Sequence, residues 1–318
     1  MNLLKQAVLT YTRRHANSRG MALTPVPGLR MMCLEAPSGE LHSVYKPLVC
    51  LVLQGAKRLI VGKEERVFSA GQSVLVSADM PVIGRVVQAS RSEPYLAIAV
   101  ELEMAILREL TAHLGSPHPP PPSEMPTLFA VDTEAALLEC ASRLMHLLDR
   151  PEAAPLLSPG IMRELHFWLL SGPHGTALRT LADPNSHAGR LAKAIATLRA
   201  EYRMRVPVER LAAEAGMSPS AFHKHFKHMT SLTPGQYQKR LRLVEARRLM
   251  LDEGFSASHA AFEVGYESVS QFTREYGRLF QAPPKRDAQR VREQSSVHSP
   301  CSHSQPSPVA PAKAVSPN

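Results

Sequence analysis

The 318 residues carry 37 Lys+Arg against 28 Asp+Glu, a formal net charge of +9, with 44% hydrophobic residues and four cysteines. A chain of that length folds as more than one packed unit, and no apolar run in it approaches a membrane span or the core of a signal peptide. Cys33, Cys50, Cys140 and Cys301 are scattered without a Cys-x-x-Cys pair, which excludes a disulfide scaffold, argues against zinc and fits a reduced, cytoplasmic protein.

From Pro47 to Val100 the pattern is short apolar runs broken by turn residues. Val49–Leu53 precedes Gln54-Gly55, Arg58–Val61 precedes Gly62-Lys63, and Ser73–Val76 follows Ala70-Gly71. Val82-Ile83, Val86-Val87 and Tyr95–Val100 come after Asp79-Met80-Pro81. Closely spaced strands with Gly and Pro at the joins predict a small antiparallel barrel or jelly roll. A short helical stretch and a proline run, Ser116–Pro122, follow, the latter an extended loop. Two amphipathic helices come next. Thr133–Leu148 carries Leu137, Leu138, Ala141, Leu144, Met145 and Leu148, and Gly160–Leu170 carries Ile161, Leu165, Trp168 and Leu169. They can pack on the barrel or on a partner chain. A linker, Gly172–Gly175 through Asp183–Ser186, separates this half from the next.

The second half contains a duplication. Leu211–Ser218 leads to Phe222, Phe226 and Pro234, and Ala260–Ser268 leads to Phe272, Tyr276 and Pro284. Gly216 and Gly265 sit where a helix end turns left-handed, and Ser218 and Ser268 are placed as N-caps of the next helix. Each copy is thus helix, turn, helix, and in such a pair the second helix is the one that fits a DNA major groove. Pro234 to Asp252 reads as one continuous helix, about 28 Å long, close to the spacing of successive major-groove faces. Tyr237, Leu241 and Val244 form its apolar stripe, with Lys239, Arg240, Arg242, Arg247 and Arg248 over the remainder, in part a solvated face. Residues 186–295 hold 19 Lys+Arg against 11 Asp+Glu, while residues 1–185 balance at 17 each. Nearly all the positive charge therefore lies with the duplicated motif, as phosphate binding requires. From Gln294 the tail is rich in Ser and Pro and is expected to be disordered.

Helical spacing sorts the side chains of the second helices. Phe222, Phe226 and Met229 recur on one face and point to the core, leaving Ser220, His223, Lys224 and Lys227 outward. Phe272 and Tyr276 do the same in the second copy, leaving Ser270, Gln271 and Arg274 toward a groove and Arg278 toward phosphate. A guanidinium at Arg274 can pair bidentately with guanine O6 and N7. His223, His225 and His228 do not complete a metal-ligand spacing, and no metal or other cofactor is expected.

Residues 189–293 resemble the DNA-binding domain of the AraC family (AraC/XylS type) of bacterial transcription regulators. The resemblance rests on Ala215–Ser218, Val264–Ser268, the helix between them and Phe272–Tyr276 running on to Phe280 and Pro283-Pro284. Gln281, where the family commonly has glycine, and Asp287, near a usual aromatic, depart from it. Leu51–Arg58 and Ala70–Ser73 resemble the family's cupin-like sensor type. The resemblance implies base-edge contacts at Ser220, His223 and Lys224, a phosphate contact at Lys227, partner contact by the amphipathic helices and activation through RNA polymerase. A cupin-like barrel also raises a metal-dependent enzyme, but Ser43 to Thr111 contains no histidine, so a His-rich site would need residues outside it such as His42.

The expected architecture is a β-barrel with helices at residues 1–180, an all-α double helix-turn-helix domain at 186–293 and a tail at 294–318. Its expected function is sequence-specific regulation of transcription on double-stranded DNA by a homodimer, without enzymatic activity or membrane contact. A small effector in the barrel would act through its differential affinity for two arrangements of the halves. The other reading is a DNA-binding adaptor whose barrel only mediates protein interaction.

Overall fold

The computed structural model describes residues 2–17, 19–61, 64–115 and 128–297. The proline run, Cys301 and the tail beyond Val297 lie outside them. Helix α1 (Asn2–His15) opens the chain and buries Leu4, Val8 and Thr12, spaced four apart on one face. The strands are β1 (Met21–Leu23), β2 (Leu29–Leu34), β3 (Leu41–Tyr45), β4 (Leu48–Gln54), β5 (Ala56–Val61), β6 (Glu64–Ser69), β7 (Gln72–Val76), β8 (Met80–Gln88), β9 (Tyr95–Glu101) and β10 (Leu128–Asp132). They form a six-stranded sheet, β1-β2-β9-β4-β7-β10, and a four-stranded sheet, β3-β8-β5-β6, antiparallel throughout. Among the described residues no ladder joins the two sheets, so the expected barrel is an open double-sheet sandwich.

The unbroken apolar runs have a simple cause: the large sheet is buried on both faces. Along β4, Leu48 and Val52 point between the sheets while Val49, Leu51 and Leu53 point outward. β9 alternates likewise, Tyr95 and Ala97 inward against Leu96, Ile98 and Val100 outward. The outward set is covered by α1, α2 (Met104–Leu114), α3 (Ala135–Leu147), α4 (Ala154–Ser171) and α5 (Gly175–Ala182). Each fully buried Leu or Ile there contributes about 1.5–3 kcal/mol. Helix α5 occupies the segment expected to be a linker and buries Ala177, Leu178, Leu181 and Ala182, so the halves are joined through a packed helix. Trp168 stays 37% exposed on α4, unlike the buried Met145 on α3.

The second half is α6 (His187–Ala200), α7 (Val208–Glu214), α8 (Pro219–Thr230), α9 (Pro234–Asp252), α10 (Ala257–Glu263), α11 (Val269–Phe280) and α12 (Pro284–Val297), the last continuing past Gln294. The long helix α9 has the predicted bounds and a full capping box: Thr233 accepts from the Gln236 amide, and Gln236 accepts from that of Thr233. It belongs to two cores at once. Tyr237 and Leu241 pack with Phe222 and Phe226 of the first unit, whereas Leu243, Ala246, Leu249 and Met250 pack with Phe272, Tyr276 and Phe280 of the second.

The departures at Gln281 and Asp287 are accommodated locally. Gln281 ends α11 in the left-handed region, φ 56°, as Ser231 ends α8 at φ 60°. Asp287 is fully buried and accepts from Arg247 Nε at 2.7 Å, Tyr276 Oη at 2.8 Å and Arg290 at 3.1 Å. Burial works to raise its carboxyl, but those hydrogen bonds and the Arg247 charge outweigh burial and hold it below the usual carboxylate range. An acidic residue replaces apolar packing here because an arginine from α9 and a tyrosine from α11 satisfy it.

The two halves touch through β3 and β8 against α9. Val44 packs on the core of the first unit, and the His42 ring meets Phe280 edge-on at 4.9 Å. Arg199 pairs with Asp79, and Arg19 with Asp252. Burial, with the positive charges of Arg247 and Arg240, lowers the His42 pKa to about 4.

Candidate nucleic-acid interface

Each copy of the duplicated motif folds as the sequence predicts, for reasons local to it. Ser218 Oγ accepts the Ala221 amide and Ser268 Oγ the Gln271 amide, both at 3.3 Å, satisfying donors that a helix start leaves free. Pro219 takes the first position of α8, where its missing N–H costs nothing. Phe222 and Phe226 in α8, and Phe272, Tyr276 and Phe280 in α11, are buried at four-residue spacing, while Met229 is half-buried. That geometry turns the other face outward. Ser220, His223, Lys224 and Lys227 on α8, and Ser270, Gln271, Arg274 and Arg278 on α11, are all exposed.

The cations fall into two classes. Lys224, Lys227, Arg274 and Arg278 make no ion pair with any described residue. On α9, by contrast, Lys239 donates to Glu275 at 2.9 Å, Arg247 pairs with Asp287, and Arg248 is held by Glu245 and Glu253. Three of the α9 charges that spacing alone assigns to a solvated face are therefore engaged in structure. Glu275 also accepts from Tyr266 Oη at 2.8 Å and Gln271 Nε2 at 3.4 Å, so Gln271 alone among the eight exposed residues has a side-chain partner on its own helix beyond its cap.

Sequence reasoning missed the residue that ties the two units together. Arg242 donates to the carbonyls of Tyr202 at 2.7 Å, Arg203 at 3.0 Å and Gly265 at 2.9 Å. The first two lie at the start of the stretch after α6, and the third lies in the second turn. Gly265 has φ 86°, and a Cβ there would lie 1.9 Å from the Arg203 oxygen, so the turn glycine serves both the left-handed backbone and this close approach. A concave groove of about 410 Å³ opens beside the joint, lined by Arg203, Arg205, Lys239, Arg242 and Glu275 among others.

The histidine run builds no ligand cage. His225 stacks on His187 at 4.5 Å, His223 and His228 are exposed, and among the described residues no group of three His, Cys, Asp or Glu could hold a metal. Burial is the leading cause that raises the thiols of Cys33, Cys50 and Cys140 above their ordinary range. No helix among the described residues is long and apolar enough to cross a membrane.

Fold and surface together define a two-domain protein, a double-sheet N-terminal half joined to a double helix-turn-helix half. Residues 25–177 match the family described as AraC-type transcriptional regulator N-terminus, and residues 211–290 match a helix-turn-helix domain family. The chain belongs to the AraC family of transcription regulators. It is 32% identical over 152 residues to the HTH-type transcriptional activator RhaS of Escherichia fergusonii, covering 46% of this chain and 53% of that one. It is 27% identical over 167 residues to the HTH-type transcriptional regulator ExsA of Pseudomonas aeruginosa, covering 52% and 59%. The chain thus spans about half the length of these relatives. ToxT from Vibrio cholerae, crystallised with an unsaturated fatty acid bound, shares the fold over 82% of this chain and 94% of its own, with TM-score 0.57 and 10% identity.

Proposed function

We propose that this protein is a sequence-specific regulator of transcription that sets α8 and α11 in two successive major-groove segments of double-stranded DNA. One observation carries the reading: the outward faces of these two helices present Lys224, Lys227, Arg274 and Arg278 without internal ion pairs, on two units clamped together by α9 and Arg242. Free cations attract phosphate by counterion release, and a clamped pair can read a fixed spacing. Ser220, His223, Lys224, Ser270, Gln271 and Arg274 are the base-edge readers, with Lys227 and Arg278 on phosphate.

The division of labour follows: residues 1–180 sense and dimerise, 186–293 bind DNA, and 294–318 form a tail. Likeness to proteins named as activators favours activation, with RNA polymerase as the partner and the cytoplasm as the site of action. A small effector in the sandwich is supported by the fold shared with a fatty-acid-bound neighbour. The protein has no catalytic role in this reading. Selection of bound sequences from a random DNA library tests it. Two short blocks about one helical turn apart per monomer support it, and no enrichment over bulk DNA refutes it.

A further inference from the structure

Lysine 57 lies inside the sandwich. It is 8% exposed, on the face of β5 that looks toward the opposite sheet, with Nζ 3.1 Å from Tyr45 Oη and 3.4 Å from Met32 Sδ. Its stem passes over β8 at Gly84, where a Cβ would lie 2.7 Å from Lys57 Cε. A glycine inside a strand weakens it and marks a close approach of something else. Here that something is the arm of a lysine, so β8 forgoes a side chain in order to admit an ammonium into the interior.

The ammonium is poorly matched by what surrounds it. Among the described residues no carboxylate lies within ion-pair distance of Lys57. Of its three donors, one meets a phenol, one meets a thioether, which is a weak acceptor, and the third meets no acceptor within hydrogen-bond distance among the described residues. Leu59, Val82, Val86 and Tyr95 supply apolar walls to the same interior. A buried charge is costly unless paired, and replacing it by an apolar side chain of similar volume is commonly neutral or stabilising. A fold that keeps such a lysine gains something other than stability from it.

We infer that the sandwich interior binds a small monocarboxylate with an apolar body, its two oxygens taking N–H from Lys57 and O–H from Tyr45. This deepens the effector reading proposed above and rests on it. One ammonium and one phenol match one carboxylate, whereas a phosphate dianion would call for more donors, commonly an arginine fork. The apolar body lies against the valine and leucine walls, as in most small-molecule sites.

The test is thermal melting of the full chain with millimolar hexanoate and benzoate, each beside its uncharged partner, hexanamide or benzamide. Wild type is expected to melt higher with an acid and not with the matching amide. Lys57→Met is expected to melt at or above wild type without additive and to lose the response to acid. Lys57→Arg, which keeps the charge but not the shape, is expected to weaken it. A shift with the amides alone removes the acid specificity while leaving a sensor, and no shift with any of the four compounds counts against both. A Lys57→Met chain that melts well below wild type makes Lys57 a structural residue and overturns the inference, as does one that keeps the acid response.

Discussion

Replacing Arg242 by Met separates the two things that α9 does, connecting the helix-turn-helix units and fixing their relation. Methionine keeps most of the apolar stem and helix propensity while deleting all three bonds to Tyr202, Arg203 and Gly265. The acceptors are backbone carbonyls on half-buried Tyr202 and Gly265 and exposed Arg203, so water replaces part of what is lost. Taking about 1 kcal/mol for each charge-assisted bond after that exchange gives a loss of about 2–4 kcal/mol in urea unfolding. The functional reading is sharper. Inserting one base pair between the two blocks of the selected site moves them by roughly 3.4 Å and rotates them by roughly 34°. A rigid pair of reading helices loses most of its specific affinity on that insertion, whereas a pair released by Arg242→Met tolerates it better, at the cost of weaker binding to the native spacing. Gel-shift titrations of both proteins on both sites measure the four affinities that form the cycle. Wild-type stability together with the wild-type spacing penalty in the variant would show that Arg242 clamps nothing.

The other outcomes follow from single contacts. Arg274→Ala should cost about 1–3 kcal/mol on the selected site and relax one base position, while Lys227→Ala and Arg278→Ala should each reduce the salt slope by about 1 and weaken all sequences alike. Equal losses for Arg274→Ala on random DNA would reassign it to phosphate. Gln281→Gly relieves a left-handed non-glycine cap and should stabilise by about 0.5–1 kcal/mol in urea melts, whereas Gly265→Ala should destabilise by at least about 2 kcal/mol through its clash with the Arg203 carbonyl. Asp287 is held below the carboxylate range, so its contribution is full above that range and lost as pH falls through its folded value; Asp287→Asn should flatten the acid limb of a pH series of unfolding curves. His42, lowered to about 4, favours its neutral form in the contact between the halves, so that contribution is full above about pH 6.5 and fades as pH falls toward 4. His42→Phe should retain the contact with Phe280 and abolish that dependence, measured by protease accessibility between the halves.

The helical half was legible because its signals are local. A cap serine, a turn glycine and aromatics four apart each fix a short stretch, and together they place α8, α9 and α11 without reference to anything distant. The strands β4, β5, β7, β8 and β9 showed for a similar reason, since each carries an apolar run. β6, Glu64–Ser69, begins with charges on an edge of the small sheet, and β1 to β3 carry mixed patterns because their neighbours decide which side is buried. The roles of Arg242 and Lys57 escaped the sequence on different grounds. Nothing in a helical wheel says that an arginine's acceptors are carbonyls from two other segments, and nothing in a strand pattern says that a lysine points inward over a glycine 27 positions later.

One strand of the N-terminal half touches both DNA-facing units. Val44 meets the core of the first, and His42, two residues back on the same face, meets Phe280 at the end of α11 in the second. The opposite face of β3 carries Tyr45, whose hydroxyl receives Lys57. A strand only a few residues long thus has the sandwich interior on one side and both units on the other. Anything that repositions Tyr45 acts on β3, and β3 cannot shift without disturbing its packing against the first unit, the second or both. The eight outward residues of α8 and α11 stay exposed in this arrangement, so the sandwich does not act by covering them. Its leverage is on the relation between the units, and that relation is also what Arg242 holds. Control through the sandwich would therefore appear first as a change in preferred block spacing and only second as a change in overall affinity.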